Sequence, residues 1–173
     1  LMLGATYLEM KNWNKAISQY KNAEEIAKRA SIIQIPNRNW IVSESRLKQA
    51  IAQIHNYRNS EAIQNLLYFI GNYSNDPRAE EALFWLAESY YRSDMLRNAI
   101  DKYESLLSKY PTTKFREDVL YGLGWSYFRL KNFKKSSEIF GQLVQEFPNS
   151  KYGVEVWLRQ GDGFFVLKNF QQA

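Results

Sequence analysis

The sequence has no cysteine, and glycine and proline are scarce, with 8 and 4 residues among 173. The lack of cysteine excludes disulfide bonds and thiolate chemistry. The shortage of glycine and proline leaves few residues that favour turns. No apolar run approaches the roughly 18–20 residues that a membrane-spanning helix needs. Together these absences predict an all-helical chain without a membrane-spanning segment.

Residue patterns that support catalysis or metal binding are absent as well. The one histidine, His55, lies near the predicted end of a helix without a partner for either role. The stretches GLG (122–124) and GDG (161–163) are too short to cradle a phosphate, and neither follows a strand. The acid pair Glu80 and Glu81 falls in the first turn of a predicted helix, where the helix dipole favours it. We therefore predict a protein that is not an enzyme and holds no cofactor or metal.

The charge of the chain is only mildly positive. The formal net charge is +5, and residues 1–58 hold much of the excess, with 9 Lys and Arg against 4 Asp and Glu. Most basic residues alternate with acids instead of forming the dense basic stripe of a nucleic-acid-binding protein. The charge therefore indicates an ordinary solvated surface, and nucleic acid is an unfavoured partner.

Two segments align with each other without a gap: LFWLAESYYRSDMLRNAIDKYESLLSKYP (83–111) and LYGLGWSYFRLKNFKKSSEIFGQLVQEFP (120–148). Pro111 falls on Pro148, so the period is 37 residues. Positions within a repeat are numbered so that Leu83 and Leu120 take position 4. Self-similarity at a fixed period of this length predicts an array of equivalent structural units.

The same period extends the alignment to Ala173 in one direction and to Ala62 in the other. Another copy begins at the start of the chain, but its Ala16 lies 46 residues before Ala62. About nine residues are therefore inserted, and SIIQIPNRN (31–39) is the predicted long connection. The predicted repeats of this single array are 1–30, 38–76, 78–112, 115–149 and, in part, 152–173. Because both ends of the sequence fall inside a repeat, we expect a segment of a longer array.

Each repeat predicts two helices. The first has apolar residues at positions 4, 7, 8 and 11, which is helical spacing. A polar break such as RSD (92–94) or LKN (130–132) follows. YP or FP ends the second helix, because the residue before proline is steered away from the helical conformation. Thr in PTT (111–113) and Ser in PNS (148–150) are predicted to cap the next first helix.

Position 8 of the first helix is small wherever the alignment is clear, and it holds Gly4, Ala87, Gly124 and Gly161. Glycine inside a helix costs about 1 kcal/mol relative to alanine. We predict that the missing side chain lets the second helix approach closely, and that a ring from this helix fills the space. The pattern is weaker across residues 31–58, where the apolar stripe is shifted by one residue and position 8 is not small.

These features resemble the tetratricopeptide repeat family. The likeness is carried by the W/L–L–G/A–Y series of the first helices, the A–F/Y–A/L series of the second helices and the closing proline. It implies an all-α fold, a right-handed α-solenoid of antiparallel helix pairs with about five repeats and about ten helices. The family unit has about 34 residues, so 37 is a departure. Longer units ending in YPTTKF or FPNSKY are similar to bacterial cell-envelope members such as BamD and YbgF. That narrower likeness implies a periplasmic or outer-membrane location, with the cytoplasm as the alternative.

A second stripe lies on the first helix of each repeat at positions 5, 9, 12 and 13, on a different face from the apolar stripe. In the tetratricopeptide repeat family these positions line a concave face where partner peptides lie, so the resemblance implies a partner-binding surface. Its predicted residues are Phe84, Glu88, Tyr91, Arg92, Tyr121, Trp125, Phe128, Arg129, Leu158, Asp162 and Phe165. The alternative is that the next repeat covers these rings. Of the rings, Tyr121 and Trp125 are expected to be the most exposed.

We therefore expect a scaffold that binds a peptide segment or a helix of a partner protein without chemistry. One alternative is a structural array that self-associates or packs on neighbouring domains of the same protein. A remoter alternative is a helical-repeat RNA binder. Such a protein reads each base with polar residues at fixed positions of its repeat. Positions 5, 9 and 12 do not show this pattern.

Overall fold

The computed structural model of the chain describes residues 1–30, 35 and 37–166. In this part of the chain the secondary structure is helical, without strands. The described helices are α1 (Met2–Glu9), α2 (Trp13–Arg29), α3 (Arg38–His55), α4 (Asn59–Asn72), α5 (Ala79–Arg92), α6 (Leu96–Lys109), α7 (Arg116–Arg129), α8 (Phe133–Glu146) and α9 (Gly153–Val166). None of these described helices is long and apolar enough to cross a bilayer. The tenth predicted helix, which opens near Ala173, lies outside the described residues.

The chain divides into two compact units, Leu1–Ser89 and Tyr90–Ala173. In the first unit α2 packs on both α1 and α3, and α3 packs on α4. In the second unit α7 packs on both α6 and α8, and α8 packs on α9. Within each unit, α1 to α4 and α6 to α9 thus pack on their neighbours in the sequence, as expected for an array of helix pairs.

A left-handed residue forms the turn in each helix pair of which both helices are described. These residues are Lys11, Tyr57, Asp94 and Lys131, with φ angles of 54°, 59°, 61° and 60°. A backbone hydrogen bond closes each turn, for example from Asn132 N to Tyr127 O at 2.9 Å. The predicted polar breaks RSD and LKN contain two of these turns. Such tight turns make the two helices of a pair antiparallel neighbours.

The second helices end where the sequence predicts. α6 and α8 end directly before Tyr110 and Phe147, which precede the prolines and have extended φ angles of −129° and −128°. The predicted helix caps, however, are wrong. α7 begins three residues after Thr113, and α9 begins three residues after Ser150. The Thr113 hydroxyl instead accepts a hydrogen bond from Phe115 N at 3.2 Å, so it shapes the turn that precedes the helix.

The insertion in the first part of the chain lengthens two helices. α2 has 17 residues and α3 has 18, whereas α4, α6 and α8 have 14 each. α3 begins at Arg38, where the second predicted repeat (38–76) also begins and where the predicted connection 31–39 is about to end. Residues 31–34 and Pro36 lie outside the described residues.

The predicted packing of a ring on a small residue is confirmed at two glycines. A Cβ atom on Gly4 would lie 2.9 Å from Cε2 of Tyr20, and one on Gly124 would lie 2.6 Å from Cδ1 of Phe140. Tyr20 and Phe140 are 2% and 0% exposed. A third small residue, Ala87, is fully buried. Glycine is therefore needed in α1 and α7 because a ring of the second helix occupies the space of its missing side chain.

Gly122 makes a further contact of this kind that the sequence did not predict. A Cβ atom on Gly122 would lie 2.6 Å from Cζ of Tyr103, a fully buried ring of α6. α7 therefore lies between Tyr103 of the preceding helix and Phe140 of the following helix. The hydroxyl of Ser136 donates a hydrogen bond to the Gly124 carbonyl at 3.0 Å, which further fixes α8 against α7.

Candidate binding surfaces

Part of the predicted partner-binding stripe lies in the first unit. Phe84 is only 7% exposed and packs edge-to-face on Trp85 at 5.2 Å between ring centroids. Its assignment to an accessible surface is therefore wrong. The physical reason is that Ala82, Leu83 and Phe84 follow one another and are all buried. Successive residues of a helix point about 100° apart, so three buried neighbours mean that most sides of α5 are covered in this region. Glu88 is half-buried.

The predicted rings of α7 form one cluster in the second unit. The ring centroids of Tyr121 and Trp125 lie 6.3 Å apart, and those of Trp125 and Phe128 lie 5.4 Å apart. Tyr121 and Trp125 also pack against the core around Leu120 and Phe140. All three rings are half-buried. The expectation that Tyr121 and Trp125 are especially exposed is therefore corrected, because both rings contribute to packing.

Residues at the start of α9 and in the turn before it cover this cluster. The ring of Tyr152 stacks on Tyr121 with 3.8 Å between centroids. The guanidinium of Arg159 lies 5.5 Å from the Trp125 ring. The Tyr121 hydroxyl donates a hydrogen bond to Glu155 at 2.8 Å, and burial together with this contact raises the pKa of Tyr121 to about 12. The rings of α7 thus keep only part of their faces open.

The arginines of the stripe remain at the surface. Arg92 and Arg129 are exposed, and Tyr91 is half-buried. Arg129 forms an ion pair with Asp94 at 2.8 Å, and its guanidinium lies 5.2 Å from the Tyr91 ring. The remaining predicted residues are on α9. Leu158 is 65% exposed, and the side chains of Asp162 and Phe165 lie outside the described residues.

α9 carries exposed apolar side chains at helical spacing. Val154, Trp157 and Leu158 are 81%, 62% and 65% exposed. Trp157 occupies position 4, where Leu120 of the preceding repeat is fully buried. The period places the residues that would cover Trp157 in the second helix of this repeat, which lies outside the described residues.

The first unit contains a polar cluster that the sequence did not predict. Counting back 37 residues from Leu83, Leu86, Ala87 and Tyr90 leads to Arg46, Gln49, Ala50 and Gln53 of α3. Position 8 of this repeat is therefore Ala50, a small residue that is fully buried. The prediction that position 8 is not small here is wrong. The stripe seemed shifted because positions 4, 7 and 11, which are apolar or aromatic in later repeats, hold an arginine and two glutamines.

These polar residues form a hydrogen-bonded network with α2 and α4. On the α2 side, Glu24 accepts a hydrogen bond from Gln49 at 2.9 Å and pairs with Arg46 at 2.6 Å. On the α4 side, Asn65 accepts from Arg46 at 2.5 Å and donates to Gln53 at 2.8 Å. Gln49, Gln53 and Glu24 are each 5% exposed or less, so the network fills part of the interior beside the fully buried Leu47 and Ile54.

An open groove of about 410 Å³ lies above this network. α3 forms its floor with Arg46, Gln49 and Gln53, while α2 and α4 form its walls. The wall residues are Ile17, Lys21, Glu24, Glu25 and Lys28 on one side and Arg58, Glu61, Gln64 and Asn65 on the other. The groove is therefore lined almost entirely by polar side chains.

The stability of the first unit is expected to fall in acid. Burial alone raises the pKa of Glu24, but hydrogen bonds from Lys28 and Gln49 and the charge of Arg46 outweigh it and lower the pKa. A hydrogen bond from Arg78 lowers the pKa of Asp76 in the same way. Because these folded-state pKa values lie below the unfolded values of about 4, the stabilisation is present above pH 4 and lost as pH falls through the folded values.

Urea unfolding followed by circular dichroism between pH 7 and pH 2 checks this prediction. The free energy of unfolding should stay level down to about pH 5 and then decline. Glu24→Gln should lower stability at pH 7 and flatten the acid decline, since it removes one of the titrating carboxyls. An equal decline in the native protein and in this variant would contradict the role of Glu24.

Comparisons with known proteins agree with this architecture. Residues 81–113 and 118–150 match the family model of the tetratricopeptide repeat. The predicted resemblance to this family is confirmed over these two repeats, whereas no comparison supports the narrower resemblance to BamD and YbgF. No curated protein sequence matches the chain.

Solved structures with a similar fold include one of MamA and one of a fungal protein. A crystal structure of MamA matches with a TM-score of 0.76 and 18% identity, over 98% of this chain and 87% of that one. A protein of Podosopora anserina, described as a kinesin light chain with nearly identical TPR-like repeats, matches with a TM-score of 0.74 and 14% identity, over 99% and 86%. At such low sequence identity the comparison is evidence for the fold alone. It confirms the predicted all-helical repeat solenoid.

Proposed function

We propose that the chain is a protein-recognition module that binds a segment of a partner protein and performs no chemistry. The supporting observation is the surface of the second unit that combines half-buried rings with exposed arginines, namely Tyr91, Tyr121, Trp125, Phe128, Arg92 and Arg129. Tyrosine, tryptophan and arginine are the residues that most often dominate binding energy at protein interfaces.

The packing of these side chains supports this role. Tyr121 is stacked on Tyr152 and hydrogen-bonded to Glu155, so its ring is already ordered before a partner binds. Arg129 is likewise held by Asp94. Rings and guanidinium groups that are ordered in advance lose little entropy on binding. We therefore assign the partner-binding surface to this face of α7 together with Tyr91 and Arg92. The sequence resemblance to BamD and YbgF adds the finer proposal that the partner is a cell-envelope protein.

Charge reversal tests this assignment without removing a packed ring. Arg92→Glu combined with Arg129→Glu in the full-length protein should reduce the yield of crosslinked partner in cells by at least tenfold. Quantitative mass spectrometry of the crosslinked material measures this yield. The matched control is Lys134→Glu with Lys135→Glu, which makes the same charge change at exposed positions of α8. An unchanged yield for the arginine variant would contradict the assignment, and equal losses in both variants would indicate non-specific attraction.

Self-association is the second candidate function. It is favoured by Val154 and Leu158, which are exposed one turn apart on α9. Exposed apolar patches mark interaction sites when they are contiguous. Light scattering of the isolated chain over a hundredfold concentration range distinguishes the two candidates. A constant mass supports recognition of a different protein, whereas a mass that rises with concentration supports self-association.

A further inference from the structure

We propose that the polar groove between α2 and α4 is a second binding site, and that its ligand is an extended peptide segment with an acidic side chain. The proposal rests on the proposed function, because it takes the ligand from a partner protein. It assigns that ligand to a different unit of the chain from the rings and arginines described above. Its basis is the replacement of core residues of α3 by polar ones.

The replacement affects positions at which other repeats build their core. Leu83, Leu86 and Tyr90 are 6%, 1% and 7% exposed, whereas Arg46, Gln49 and Gln53 take their places in α3. Polar groups at buried positions destabilise a fold unless each finds a hydrogen-bond partner. Here the partners come from Glu24, Glu61 and Asn65. This repeat thus has polar residues at three core positions and gains an open polar groove, while Leu47, Ile54 and Leu66 remain fully buried.

The side chains on the floor and walls complement a peptide main chain. A primary amide offers both donors and acceptors, as a peptide group does. The amide nitrogen of Gln49 donates to Glu24, while the carbonyl oxygen of Gln49 has no donor among the described residues. Gln64 is exposed on the opposite wall. The main-chain N–H groups of an extended peptide between these walls could donate to the Gln49 oxygen. The side-chain amide of Gln64 could both donate to and accept from the same peptide.

The length of the groove also fits an extended segment. Its α2 wall runs from Ile17 to Lys28, which at 1.5 Å per residue is roughly 16 Å. An extended chain rises about 3.3 Å per residue, so this wall spans about five residues. A single small ion would leave most of such a groove empty.

The charges of the groove restrict the charge that its ligand can carry. Glu24 forms ion pairs with both Arg46 and Lys28, so one negative charge faces two positive ones. A carboxylate oxygen of Glu61 lies 3.8 Å from a guanidinium nitrogen of Arg58. The lining holds four basic and three acidic side chains in all, so it favours a ligand that is neutral along its main chain and carries a single negative charge. Lys21, on the α2 wall, has no ion-pair partner among the described residues. The acidic side chain of the ligand is therefore assigned to Lys21.

Peptide selection on the whole chain tests the proposal. The probe is a displayed library of random twelve-residue peptides, and the affinity of each enriched peptide is then measured by fluorescence anisotropy. The groove variant combines Glu24→Leu, Arg46→Leu, Gln49→Leu and Gln53→Tyr, which restores the apolar residue types of other repeats. The control variant combines Arg92→Glu and Arg129→Glu and leaves the groove intact. Circular dichroism establishes that each variant is folded.

The expected result is at least one enriched peptide family that loses tenfold or more in affinity on the groove variant and keeps its affinity on the control. Lys21→Glu should weaken the same peptides tenfold, and replacing their acidic residue by lysine should restore binding. If the groove variant fails to fold, Gln49→Leu alone is used, and a benzoylphenylalanine at position 64 must crosslink to the peptide.

Other outcomes overturn the proposal in distinguishable ways. Peptides that bind the groove variant as well as the native chain, and are lost only on the control, would overturn the groove site and leave the proposed function intact. A library from which no peptide is enriched would count against both. Binding of single-stranded RNA to the groove with loss in high salt would replace the peptide by a nucleic acid.

Discussion

Gly124→Leu is expected to lower the free energy of unfolding by about 3 kcal/mol, at the upper end of the range for overpacked cores. Even a single Cβ atom at this position would lie 2.6 Å from Cδ1 of Phe140. The ring has no room to retreat, because Phe140 is fully buried. Ser136 also holds the Gly124 carbonyl by a hydrogen bond at 3.0 Å, so α7 cannot move away without breaking this bond.

Urea denaturation followed by circular dichroism measures the effect, and Gly71→Leu is the matched control. Gly71 lies in α4, and a Cβ atom there would meet no atom within 4 Å apart from its chain neighbours and the adjacent backbone of its own helix. The same substitution should therefore stabilise the helix slightly, by up to about 1 kcal/mol. An unchanged unfolding midpoint for Gly124→Leu would refute the contact between ring and glycine.

Arg46→Leu is expected to lower the free energy of unfolding by about 2–3 kcal/mol, because Glu24 loses one of its two cationic partners and the buried Asn65 loses a hydrogen bond. The side chain of Glu24 is 6% exposed and that of Arg46 is 24% exposed. After the substitution Glu24 keeps Lys28 and Gln49 as partners, but Asn65 loses the hydrogen bond that it accepts from Arg46. The loss should therefore stay below the roughly 3–5 kcal/mol expected when a buried charge is left without any partner.

A second variant and a surface control make this prediction specific. Adding Glu24→Leu to Arg46→Leu should recover much of the lost stability, because replacing both members of a buried pair by apolar residues is often neutral. Arg29→Leu should change stability little, since its side chain is 84% exposed and lies 4.0 Å from Glu25. Equal effects of Arg29→Leu and Arg46→Leu would show that the network contributes no more than a surface pair.

The sequence predicts features that are local and repeated in each unit. The stop before proline requires only the steric restriction on Tyr110 and Phe147. The small residue at position 8 is visible because Gly4 and Gly124 occupy the same place in different repeats. The confirmed helix pairs follow from these two signals together with the apolar spacing of the first helices.

Contacts that occur in one repeat only could not be found in this way. Gly122 receives the ring of Tyr103, but the same position holds Trp85 in the preceding repeat, so no periodic signal marks it. The covering of Tyr121 by Tyr152 likewise depends on residues 31 positions apart. A regular stripe on one helix predicts which residues share a face, but it does not predict how much of that face the next repeat covers.

The polar cluster of α3 was missed for a related reason. Aligning the stripe to the apolar residues Leu47 and Ile51 moved the register by one residue and concealed the polar replacements. The spacing between Ala50 and Ala62 carries the correct signal, since it equals the 12 residues between Gly124 and Ser136. If the repeats are aligned by their small residues instead of their apolar residues, Gln49 and Gln53 fall at core positions.

A double-mutant cycle between positions 124 and 140 tests most directly whether rings of the second helices pack on small residues of the first. The free energy of unfolding in urea is measured for the native chain, Gly124→Ala, Phe140→Leu and the double variant. We expect the double variant to be at least 1 kcal/mol more stable than the sum of the single effects predicts, because the smaller side chain at position 140 makes room for the added methyl group. Effects that add to within about 0.5 kcal/mol would show that the two positions do not interact, and the nesting of helix pairs described here would be wrong.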